Sequence, residues 1–104
     1  MNLPVEIPET NKTRGLMVRP RITCVDGFSL SVQAGRCHYC LPRIDGAEKY
    51  THVEVGFPSE RVDAFMEYAE DEDNPTGTVY ARVPVDVVWT TIQEHGGIVN
   101  QLEN

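Results

Sequence analysis

The chain has no stretch of apolar residues long enough to cross a bilayer, and no charged-then-apolar start of the kind that directs secretion. No glycine-rich loop opens a helix: Gly96-Gly97 closes one instead, which excludes a phosphate cradle built on a helix N-terminus. Cysteine is sparse and odd in number. Cys24, Cys37 and Cys40 rule out a complete intramolecular disulfide framework and fit reduced thiols. Internal repeats and low-complexity segments are missing as well. Positive charge is scarce in the second half, where Arg61 and Arg82 stand alone among eleven acids of a chain with net charge −7. Without a broad basic field, direct duplex DNA binding is not expected. What remains is one small domain of 104 residues, expected in the cytoplasm and away from membranes.

Residues 1–15 carry Pro4 and Pro8 among polar residues without a period, and are expected to form a flexible N-terminal arm. Residues 16–104 then make a single α+β domain. Arg21 to Val25 reads as a strand, and Asp26-Gly27 is a hairpin signal. Phe28, Leu30, Val32 and Ala34 alternate with Ser29, Ser31 and Gln33, the pattern of a half-buried strand. Tyr50 to Val55 and Thr78 to Val83 supply two more. Between them, Val62, Phe65, Met66 and Ala69 fall on one helical face, with Ser59 or Pro58 at the start and Asn74-Pro75 as the limit. Pro84 opens a second helix, with Val85, Val88, Trp89 and Ile92 inward and His95-Gly96-Gly97 closing it. The predicted fold is a small antiparallel sheet of about four strands in ββ-β-α-β-α order, with two helices packed on one face.

The chemistry concentrates between the second and third strands. Arg36, His38, Tyr39 and Arg43 supply planar donors and a ring within eight residues, and Ser29, Ser31 and Gln33 adjoin them. Guanidinium groups suit bidentate contacts to phosphate or carboxylate and stack on bases, so a nucleotide-type ligand is one chemistry this loop fits; the other reading pairs these arginines with surface acids and has Tyr39 cap the core. Cys40 completes the set of candidate ligand- or partner-binding residues. Its alternatives are a nucleophile served by His38 or His52, or half of a zinc site made by Cys37-x-x-Cys40 with Cys24 and His52. No third orienting group and no second Cys pair supports either, so neither catalysis nor a cofactor or metal is expected. A separate acidic face, Glu67, Glu70, Asp71, Glu72 and Asp73, is expected where the first helix ends; it reads either as solvated surface or as a nucleic-acid-mimicking edge for a basic partner.

The recurring pattern Asp26-Gly27-Phe28-Ser29, Ser31-Val32-Gln33-Ala34, His38-Tyr39-Cys40, Pro42-Arg43, Val53 to Pro58, Thr78-Val79-Tyr80 and Val83-Pro84 resembles a family of small phage and prophage proteins. The resemblance spans about residues 20–98, and Cys40 belongs to the pattern while Cys37 does not. It implies a phage accessory protein in a bacterial host cytoplasm, countering a host defence by binding a defence protein or sequestering a nucleotide signal. A structural phage component is the other possibility it leaves. A domain this small gains core by self-association, so a homodimer or higher oligomer is expected.

Overall fold

Asp26 and Gly27 reverse the chain between the first two strands of the main sheet. The computed structural model describes residues 11–13 and 16–99. Asp26 Oδ1 accepts the Phe28 N–H at 3.0 Å, and the Gly27 N–H donates to the Cys24 carbonyl at 2.9 Å. The turn joins β3 (Ile22–Thr23) to β4 (Ser29–Gln33). β5 (His52–Gly56) and β6 (Val79–Pro84) complete a four-stranded antiparallel sheet in the order β3-β4-β5-β6. Ahead of it, β1 (Asn11–Thr13) and β2 (Leu16–Val18) pair as a separate two-stranded ladder. The rest of the expected N-terminal arm, residues 1–10 and 14–15, lies outside the described residues.

Period-two alternation sorts the sheet into two faces. Leu30, Val32, Val53, Val55, Tyr80 and Val83 are buried on one of them. Two helices cover this face: α1 (Val85–Glu94), through Val85, Val88 and Ile92, and a short helix at Asp63–Tyr68, through Phe65. The Phe65 and Tyr80 rings meet at 5.8 Å between centroids. The small α+β domain expected from the sequence is therefore the one formed.

The first helix differs from the expectation in kind. It is a six-residue 3-10 turn beginning after Val62, with no side-chain cap, and Phe65 is its one fully buried side chain. Ser59 does not cap it. The Ser59 hydroxyl accepts the Ser29 N–H and the Ser59 N–H donates to the Ser29 carbonyl, so the residue pins the loop to β4. At the other end Glu67 and the run Glu70 to Asp73 place negative charge where a helix dipole is already negative, which opposes extension into an α-helix. The second helix follows its sequence signals. Pro84 precedes its first turn, and Gly96 takes φ 92° just past its end, a left-handed position suited to glycine.

His95, at that C-terminus, also ties the two ends of the fold together. Its ring stacks on Phe28 at 4.1 Å and 11°, and its Nδ1 lies 2.6 Å from Asp26 Oδ2. The Asp26 carboxyl sits below its ordinary pKa, held there by the Phe28 N–H and by His95.

Candidate functional site: a tyrosine under two guanidinium groups

The opposite face of the sheet carries Ser31, Gln33, His52 and Glu54. Gln33 is buried, because the chain segment before β3 lies over it. The Arg19 N–H donates to Gln33 Oε1 at 2.8 Å, and Gln33 Nε2 donates to the Arg19 carbonyl at 2.9 Å, as a neighbouring strand would. Ser31 Oγ accepts a second Gln33 N–H at 3.0 Å. Arg19 itself reaches the Ala34 carbonyl and lies over the Tyr50 ring. Ser29 is engaged by Arg21, whose Nε donates to the Ser29 hydroxyl at 3.0 Å. The expectation that Ser29, Ser31 and Gln33 line a ligand surface meets side chains already bound within the fold. Gln33 in particular is an anchor for the segment entering the domain.

The loop after β4 folds back over β5 and β6. Gly35 starts it at φ 148°, and a Cβ there would stand 2.9 Å from Asp45 Oδ1. Cys40 is the loop's internal strut: fully buried, its sulfur accepts the Gly35 N–H at 3.2 Å, with the Gly35 and Pro42 carbonyls at 3.2 and 3.4 Å in reach of its hydrogen. A thiol enclosed in this way packs as a small apolar group and offers no open approach to a substrate. His38 also turns inward. Its Nδ1 lies 2.9 Å from Glu54 Oε1, and its Nε2 is enclosed without a hydrogen-bond partner among the described residues. Arg36 is exposed and tied to Asp45, through its N–H at 2.9 Å and its guanidinium at 3.4 Å, while its carbonyl accepts Arg43 Nε at 3.1 Å.

Tyr39 is what this scaffold presents. The residue is 37% exposed, with the Arg43 guanidinium 5.2 Å and the Arg82 guanidinium 6.0 Å from its ring centroid. Arg82 comes from a defect in the sheet. Val55 pairs with Tyr80 and Val53 with Val83, so Ala81 and Arg82 together face Glu54. Arg82 takes φ 52° in this bulge, and its N–H leaves the ladder to donate to the Tyr39 carbonyl at 3.0 Å. Bulges recur where a sheet must re-aim one side chain. Here the bulge turns a strand arginine toward the loop tyrosine. Two residues on, Pro84 and Val85 border a half-open hollow of about 330 Å³ with Lys49, Thr51, His52 and Asp86.

Of the expected cluster, then, Tyr39 and Arg43 come together in the open, Arg36 braces Arg43, and His38 and Cys40 support from below. Arg82 and Glu54 were not anticipated. A signal for Arg82 was present: Tyr80 and Val83 are both core residues three apart, a spacing that a regular strand cannot bury on one face.

The residues weighed for zinc do not gather. Cys37 is exposed, Cys24 is buried beside Ile98 at the far edge of the sheet, and His52 Nδ1 is held by the Thr51 hydroxyl at 2.8 Å. Among the described residues no three His, Cys, Asp or Glu side chains form a group able to hold a metal ion. Burial pushes the Cys24 thiol up, with the Asp26 carboxylate adding to the effect. The acidic residues Glu67, Glu70, Asp71, Glu72 and Asp73 are exposed, but those after Glu67 form a turn-rich loop and not a helix end. Asp71 shapes that loop, with its carboxylate accepting the Asp73 N–H at 3.1 Å. Among the described residues no helix is long and apolar enough to cross a membrane.

Comparison with family models, with curated proteins and with solved structures gives no match for this chain.

Proposed function

We propose that the protein is a non-catalytic binding protein for a planar anionic ligand of the nucleotide type. The observation that carries this reading is the exposed Tyr39 ring under the guanidinium groups of Arg43 and Arg82. A guanidinium offers a flat face to a base and N–H edges to phosphate, and here two of them lie against one exposed ring. Three contacts brace the loop beneath: a buried thiol strut, the His38–Glu54 contact and a backbone bond from the bulge. Pre-set donors of this kind give up less freedom on binding than free surface arginines. The enclosure of Cys40 favours binding over thiol chemistry. The resemblance of residues 20–98 to small phage proteins supplies the setting, in which removing a nucleotide signal from a bacterial cytoplasm blunts a host defence.

The test is a thermal-shift panel of linear and cyclic mono- and dinucleotides, followed by calorimetric titration of the strongest. A ligand at about a hundred times its Kd stabilises the fold by about 2.7 kcal/mol. In a domain of this size that raises Tm by roughly 10 °C or more. Tyr39→Ala and Arg43→Ala are expected to weaken binding at least about tenfold while remaining folded. A panel in which no nucleotide moves Tm overturns the reading.

A further inference from the structure

On the helical side of the sheet, a shallow hollow of about 250 Å³ runs between α1 and the 3-10 turn, lined by Ala64, Asp86, Val87, Thr90, Thr91 and Glu94. Its floor is methyl and methylene groups: the Thr91 hydroxyl is turned away, donating to the Val87 carbonyl at 2.9 Å. Asp86, Thr90 and Glu94 follow one another at i, i+4 and i+8, so the hollow lies along the helix with a carboxylate at each end. No lysine or arginine lines it. The backbone positions of Asp86 and Glu94 are about 12 Å apart along the axis, the rise of eight helical residues.

We propose that this hollow is a docking groove for a basic amphipathic helix of a partner protein. An apolar side chain from the partner fills the floor between Ala64 and Val87, and lysine or arginine residues about two turns apart meet Asp86 and Glu94. The charge argument selects the occupant. A neutral or acidic helix covering this groove desolvates both carboxylates without compensation, whereas a basic one pairs them at the rim. The groove, and not the Glu70–Asp73 loop, is then the protein-recognition surface. Ala64, Thr90 and Glu94 belong to this groove and not to the hollow beside His52, which Asp86 also borders, so substitutions at those three positions separate the two sites.

A fluorescein-labelled amphipathic helical peptide of leucine and lysine, about 18 residues long, serves as probe, read by anisotropy at physiological salt. Wild type is expected to bind it saturably. Thr90→Trp, which fills the hollow without changing charge, and Asp86→Asn with Glu94→Gln are each expected to weaken binding about tenfold. Neutralising Glu70, Asp71, Glu72 and Asp73 is expected to change it less than about twofold, because that loop touches no part of the groove. Circular dichroism confirms folding of each variant, and Ala64→Arg provides a second way to block the floor. Binding unaffected by Thr90→Trp and Ala64→Arg, binding lost equally on neutralising the 70–73 loop, or no binding by wild type each overturns the proposal.

Discussion

Replacing Arg82 by glycine separates what this residue does for the fold from what it does for the site. Arg82 sits at φ 52°, where an L-side chain costs roughly 1–2 kcal/mol relative to glycine. Glycine releases that strain and keeps the backbone N–H that donates to Tyr39. Against this stand the lost contact with the Tyr39 ring, about 0.5–1 kcal/mol at an exposed position, and the extra chain freedom of glycine, roughly 0.5–1 kcal/mol. The terms nearly cancel, so Arg82→Gly is expected within about 1 kcal/mol of wild type in urea denaturation, a Tm change of less than about 8 °C. Arg82→Val loses the same ring contact and forces a β-branched residue into the left-handed region. It is expected to cost roughly 2 kcal/mol or more. Both variants should lose nucleotide binding by at least about tenfold. The reasoning is refuted if glycine destabilises as much as valine, since the bulge then stores no strain, or if the glycine variant binds ligand like wild type.

Three other outcomes follow from particular contacts. Because the folded state lowers the Asp26 pKa, its contribution to stability is complete above the ordinary carboxylate range and disappears as pH falls below about 4. Acid-unfolding curves of Asp26→Asn should therefore be flatter than wild type in that window and less stable at neutral pH. Thiol titration of the native protein should show one fast-reacting cysteine, Cys37, with the buried Cys24 and Cys40 reacting only on unfolding. Gln33→Leu leaves the Arg19 backbone without its side-chain partners and is expected to cost about 1–3 kcal/mol, with amide exchange accelerated around residues 19–21.

The elements that were readable in the sequence are those where local chemistry and tertiary packing agree. Asp26-Gly27 turns because an Asx contact and a left-handed glycine both favour the reversal, and Leu30 and Val32 alternate because one face is core. Pro84 and Gly96 bracket α1 for reasons contained in their own backbones. Val62, Phe65, Met66 and Ala69 fit a helical stripe, yet the segment forms a 3-10 turn, and Ser59, which could cap a longer helix, is bound to β4 thirty residues away. The site was half legible. Tyr39 and Arg43 are near neighbours in the chain, but Arg82 joins them only through a bulge and a long-range backbone bond. Cys40 and His38 looked reactive by type, and burial gives them supporting roles that composition alone does not reveal.

Tyr39, Arg43 and Arg82 are proposed to form one recognition surface. Side-chain Nε–Hε resonances of the arginines, followed during titration with the nucleotide that most raises Tm, test it most directly. Saturable shifts with one common Kd are expected for Arg43 and Arg82, and none for Arg61, which pairs with Asp63 on the helical side. Equal small shifts across all arginines, or movement of Arg61 without Arg43 and Arg82, contradict it.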